Sequence, residues 1–142
     1  MSKPGVLFLC TGNSARSQMA EALLRKRAGD RFEVYSAGTE PKGINPLTIG
    51  VLNEIGLDIS GQRSKGVKEL LGQIPVRHLI VVCQDADRSC PTVWPGVLNR
   101  MFWPFDDPAA AKGSEPQRLE KFRSVRDQID ERIERWLDEL DE

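Results

Sequence analysis

The residues able to do chemistry fall first in one stretch, Cys10-Thr11-Gly12-Asn13-Ser14-Ala15-Arg16-Ser17. The thiolate is the nucleophilic form of cysteine, and a positive environment favours it. Small residues after Cys10 let backbone N–H groups converge on an anion without side chains in the way. A helix beginning here adds free donors and a partial positive charge. That field is expected to lower the Cys10 thiol from about 8.5 towards roughly 3.5 to 7.5. Arg16 can hold two oxygens of a tetrahedral anion with its planar fork. Ser17 can donate to the thiolate and make it a better leaving group in a second step. Thr11, Gly12, Asn13, Ser14, Ala15, Arg16 and Ser17 therefore read as a loop that seats an oxyanion over the Cys10 sulfur. A bare cysteine-to-arginine spacing also arises by chance, as a buried cysteine beside a solvent-facing arginine. Placement between a strand and a helix, with a Gly-Asn-Ser turn, argues against that reading.

Three further positions carry chemistry. Asp106-Asp107-Pro108 offers a carboxylic acid that could protonate an oxygen expelled from the anion. The plainer reading of an aspartate before proline is a turn former. Cys83 and Cys90 bracket the polar segment Gln84-Asp85-Ala86-Asp87-Arg88-Ser89. They read as reactive thiols, or as a core residue ending a strand and a residue preceding the turn at Pro91. A soft-metal site from the three thiols is a further option. It lacks a CxxC pair, and the single histidine, His78, starts a strand away from the other groups, so no zinc or other metal site is expected.

The elements that must position these residues alternate. Residues 6–9, Val-Leu-Phe-Leu, read as a buried strand, being short, continuous and apolar. A helix follows over 15–28, with Ser14 as its cap and Gly29 as its stop. A second strand is expected over 32–35. Asn45-Pro46 opens a helix striped by Leu47, Val51, Leu52 and Ile55 and ended by Gly56. A short helix is expected over 64–71, a third strand over 78–82 and a fourth over 101–103. In the last helix Leu119, Phe122, Val125, Ile129, Ile133, Trp136 or Leu137, and Leu140 recur at helical spacing. Continuously apolar strands alternating with helices predict an α/β fold: one four-stranded parallel sheet with helices on both faces, Rossmann-like. Ligands in such folds bind beyond the carboxyl ends of the strands. Cys10, Cys83 and Asp107 each follow a strand, so all three are predicted at one rim.

A chain of 142 residues without repeats, low-complexity tracts or linkers suits a single catalytic domain over 1–142. A net charge of −1 with no basic run gives no reason to expect nucleic acid or a membrane as partner. No apolar run approaches the ~18 residues needed to span a bilayer, and the opening apolar stretch is too short for a secretion signal. The expectation is a cytoplasmic protein, in which three cysteines are reactive or metal-binding rather than a staple.

The stretch at residues 10–17, continued by Gln18-Met19-Ala20-Glu21, resembles the phosphate-binding loop of the low-molecular-weight protein tyrosine phosphatases. It is closer still to the thioredoxin-coupled arsenate reductases that share their fold. The likeness continues at Ser36-Ala37-Gly38-Thr39, at Gly56-Leu57-Asp58-Ile59-Ser60 and at Phe105-Asp106-Asp107-Pro108. It covers nearly the whole chain, with the motifs in the family's order.

The resemblance implies that Cys10, Arg16, Cys83, Cys90 and Asp107 are the catalytic residues. It implies that arsenate is the substrate, with phosphate or sulfate as mimics, and that no cofactor takes part. In the implied sequence Cys10 attacks arsenate, and Cys83 attacks Cys10 as arsenite departs. Cys90 then attacks Cys83, leaving a disulfide for thioredoxin to reduce. A helical 83–90 segment would hold the two Cα atoms roughly 10 Å apart, beyond the about 7 Å a disulfide allows. The relay therefore requires that segment to unwind on oxidation. Asn13, Glu21 and Ser36 match positions supporting the loop or a monovalent cation site. Lys65 stands near that site, either as a built-in ammonium or as a surface charge. Arg63 either adds positive field or lies on the surface. Trp94, Trp103 and Trp136 read as packing residues. Ala109-Ala110-Ala111 lacks the aromatics that flank a phosphotyrosine ring in the phosphatases, which favours a small inorganic anion. A monomer is the expected form. Two other readings stay open: phosphomonoester hydrolysis by Cys10, Arg16 and Asp107 alone, and a non-catalytic anion- or arsenite-binding module.

Overall fold

The computed structural model describes residues 3–83 and 96–141. Four strands form one parallel sheet in the order β2-β1-β3-β4: β1 Gly5–Cys10, β2 Glu33–Gly38, β3 His78–Val81 and β4 Asn99–Phe102. Among the described residues, helices α1 (Arg16–Ala28), α2 (Pro46–Asn53), α3 (Val67–Leu70) and α4 (Glu115–Leu140) accompany the sheet, with a 3-10 turn at Pro108–Ala110. Val6 and Phe8 point to one face of β1 and Leu7 and Leu9 to the other, and all four are wholly buried. The central strand is therefore covered on both sides, which explains its unbroken apolar sequence. The expected architecture is the observed one.

Local chemistry sets most boundaries. Asn45 caps α2 by accepting from the Leu47 N–H at 2.9 Å, with Pro46 in the first turn, and Gly56 beyond it takes φ +79°. Ser114 and Gln117 form a capping box at the start of α4. Two expectations need correction. Ser14 does not cap α1; the position falls to Ala15, which offers no side-chain bond, because the preceding turn is shaped around its own backbone rather than around a cap. Leu140 is exposed, since α4 runs past the sheet at its last turn. His78 is a buried, structural residue. Its ring packs edge-on against Phe32 and Trp136, its Nδ1 faces Asn99 Nδ2 at 3.1 Å, and burial lowers its pKa. Trp103 and Trp136 are buried packing residues, as expected; Trp94 lies outside the described residues.

Candidate active site

Strand β1 delivers Cys10 to the carboxyl rim, opposite Gly38 of β2. The following turn is held from outside by its carbonyls. Those of residues 10, 11, 12 and 14 accept from the N–H groups of Thr39, Glu40, Lys42 and Asn45 at 2.8 to 3.1 Å. Thr48 Oγ1 and Ser64 Oγ add bonds to the carbonyls of Ser14 and Gly12. With the carbonyls engaged, N–H groups of the loop are left for the sulfurs and an anion. Two of them meet sulfur: Asn13 N–H donates to Cys10 Sγ and Thr11 N–H to Cys83 Sγ, each at 3.2 Å. Gly38 is required for this passage, because a Cβ there would lie 2.5 Å from the Thr11 oxygen.

Asn13 is the keystone. Its φ of 46° lies in the left-handed region that asparagine tolerates better than most residues. Its buried side chain donates to Ser17 Oγ at 2.8 Å and Ser36 Oγ at 3.0 Å, and accepts from Lys65 N–H and Gln18 Nε2 at 2.9 Å. Ser36 donates to Glu21 at 2.5 Å. Glu21 in turn pairs with Arg25 at 2.7 Å, and the Lys65 ammonium stands 3.6 Å away. Lys65 is no surface charge: its side chain is only 11% exposed, and burial lowers its pKa. Arg63, in contrast, is exposed and pairs with Glu69.

Cys10 Sγ lies 2.8 Å from Ser17 Oγ, and the Cys83 thiol is near enough to act on the Cys10 pKa. That second thiol overturns the expected shift. The Cys83 thiol and burial push the Cys10 pKa up, and the Ser17 hydroxyl and backbone offset this only in part. Charge on the Cys83 sulfur disfavours charge on the Cys10 sulfur, so the two thiols titrate as a linked pair. Thr11 Oγ1, at 3.4 Å, stands by Cys83 as Ser17 stands by Cys10. Strands β1 and β3 are neighbours, so Cys83, two residues past β3, reaches the same rim as Cys10. Cys90 and the segment expected to unwind lie outside the described residues.

Arg16 is largely buried. It donates to the Phe105 carbonyl at 3.1 Å and stands 3.8 Å from Asp107 Oδ2, tying the loop after β4 to the cavity. Asp107 also caps the 3-10 turn through the Ala109 N–H at 3.0 Å, so the turn-forming reading and the position beside the loop both hold. Asp106 pairs with the Lys121 ammonium at 2.8 Å, which holds its carboxyl below the usual range. The cavity, about 210 Å³, is floored by Cys10 and its loop and walled by Arg16, Asp107, Ala109 and Lys42. A larger cavity of about 620 Å³ lies at the opposite, amino end of the strands, beside Gly5 and Arg77, and holds no nucleophile. Among the described residues no group of three His, Cys, Asp or Glu could hold a metal ion, and no helix is long and apolar enough to cross a membrane.

Sequence reasoning missed Lys42, the Phe105 carbonyl and the Gln62 contact behind Gln18. Lys42 had a usable signal: it follows β2, whose carboxyl end shares the rim with Cys10.

Residues 5–142 match the model of the low molecular weight phosphotyrosine protein phosphatase family. The chain belongs to that family of enzymes. Its relatives within the family are more particular. The arsenate reductase of Bacillus licheniformis is 45% identical over 139 residues, spanning 97% of this chain and 98% of that protein. A solved arsenate reductase in the phosphate-binding state superposes with a TM-score of 0.75 at 31% identity, over 96% of this chain and 98% of that one. A thioredoxin-dependent arsenate reductase of Corynebacterium glutamicum gives 0.74 at 30% identity, over 98% of this chain and 62% of that one. The resemblance carried by the sequence, to the arsenate reductases of this fold, is borne out.

Proposed function

We propose that this chain is an arsenate reductase in which Cys10 captures the oxyanion and Cys83 and Cys90 carry the electrons onward to thioredoxin. The nearness of Cys83 to the Cys10 loop carries this reading: the Thr11 N–H, next to Cys10, donates to Cys83 Sγ at 3.2 Å, and the Cys83 thiol acts on the Cys10 pKa. Hydrolysis needs one sulfur; reduction needs a second within reach of the first.

The steps balance as follows. Arsenate enters as HAsO₄²⁻ with its oxygens towards the loop amides and Arg16. The Cys10 sulfur bonds to arsenic while one oxygen leaves as water, taking up the thiol proton, with Asp107 placed to pass it. Cys83 then attacks the Cys10 sulfur. The arsenic–sulfur bond breaks, its electron pair stays on arsenic, and arsenite leaves with arsenic reduced by two electrons. The disulfide between Cys10 and Cys83 passes to Cys83 and Cys90 by thiol–disulfide exchange, freeing Cys10. A dithiol protein such as thioredoxin reduces the last disulfide. The working unit is the single domain 1–142, acting as a cytoplasmic monomer without a cofactor.

Steady-state arsenate turnover with thioredoxin and its reductase tests the reading. Wild type should turn over repeatedly, while Cys83→Ser and Cys90→Ser should not. Cys90→Ser should still hydrolyse an aryl phosphate. Equal arsenate turnover by all three would refute the relay, and no arsenate turnover by wild type that still hydrolyses an aryl phosphate would leave the phosphatase reading, with Cys10, Arg16 and Asp107 alone.

A further inference from the structure

Two cationic side chains line the cavity, and they are engaged differently. Arg16 is committed to the Phe105 carbonyl and to Asp107. The Lys42 ammonium makes no hydrogen bond or ion pair among the described residues. Its stem is nevertheless fixed to the loop. The Lys42 N–H donates to the Gly12 carbonyl at 2.9 Å, and its Cγ and Cδ run 3.7 and 3.5 Å from where a Gly12 Cβ would stand. The lysine stem therefore runs alongside Gly12 at ordinary contact distance.

We infer that Lys42 contacts the bound oxyanion and sets the preference of the site for a free inorganic anion over an ester. An anion seated on the loop over Cys10 turns one oxygen towards the mouth, where Asp107, Ala109 and Lys42 stand. On a free oxyanion that oxygen carries charge or a proton, and a flexible ammonium can pair with it as a point charge. On an ester the same oxygen carries the organic group, which the lysine would crowd rather than bind. Among the described residues no aromatic side chain lines this cavity to receive such a group. The inference rests on the proposed oxyanion seat at Cys10.

Protection of Cys10 from iodoacetamide, read by mass spectrometry of its peptide, tests this without turnover. The probes are inorganic phosphate and phenyl phosphate. In Lys42→Met the phosphate concentration giving half-protection should rise about tenfold, the size of one charge-assisted hydrogen bond. Phenyl phosphate should lose about threefold or less, and Lys42→Arg should stay nearer wild type for both. Equal weakening of both probes, or no weakening of either, would overturn the inference. Phosphate that fails to protect even wild type would remove the oxyanion seat, and this inference with it. Wild type that is protected by phosphate yet reduces no arsenate would sink the reductase reading alone, leaving the role of Lys42 to the two-probe comparison.

Discussion

At the floor of the cavity Asn13, Ser17 and Ser36 are wholly buried and bonded to one another, while at its mouth Asp107 is 46% exposed and Lys42 stands in solvent. The floor is over-determined: backbone carbonyls, one left-handed asparagine and a buried carboxylate all fix the same amides. The mouth has few constraints, because its groups must meet an arriving anion, pass a proton and let product leave. The difference separates what holds the site together from what handles the substrate. Substitutions at the floor should cost stability as well as rate, and those at the mouth rate alone.

The largest effect belongs to the reacting sulfur. Cys10→Ser should reduce both arsenate turnover and aryl phosphate hydrolysis to background. Next, Asp107→Asn should lower kcat for an aryl phosphate by about 10²- to 10⁴-fold, the usual worth of a general acid. Its melting temperature should hardly move, since asparagine can still accept from the Ala109 N–H. A matching loss of stability would erase the distinction between floor and mouth. Asn13→Ala should lower unfolding free energy by about 2–4 kcal/mol in urea titrations, through lost buried bonds and a strained φ. Asn13→Gly should recover only the backbone part. Lys65→Met should cost about 1 kcal/mol by removing a cation from beside the buried Glu21. The smallest change sharpens the picture of the sulfur pair. Because Cys83 pushes the Cys10 pKa up, alkylation of Cys10 should climb only at alkaline pH, and Cys83→Ser should move that profile to lower pH. A profile unmoved by the substitution would show that the two thiols do not titrate as a linked pair.

How much of this was legible in the sequence depended on how local the cause was. Strands β1 and β3 announce themselves, because burial on both faces demands unbroken apolar runs. The loop is equally plain, since a strand, small residues and an arginine at a helix start are all neighbours in sequence. Strand β2 runs on through Ser36 and Gly38 for reasons no local pattern states: Ser36 bridges Asn13 to Glu21, and Gly38 makes room for Thr11. Strand β4 begins earlier than its apolar residues, because an edge strand tolerates the exposed Asn99 and Arg100. The direction of the Cys10 shift was misjudged because its main cause, Cys83, is distant along the chain and arrives only through the pairing of β1 with β3. Lys65 shows the same dependence: its side chain is buried by contacts with Glu21 that spacing does not reveal.

The central claim is that Cys83 closes on Cys10 once the anion is captured. Reduced Cys90→Ser protein, mixed with one equivalent of arsenate and quenched, tests it most directly. Peptide mapping should find a disulfide joining Cys10 to Cys83, with one arsenite released per chain. Arsenite without that disulfide, or Cys83 recovered as a free thiol after arsenic has been reduced, would contradict it.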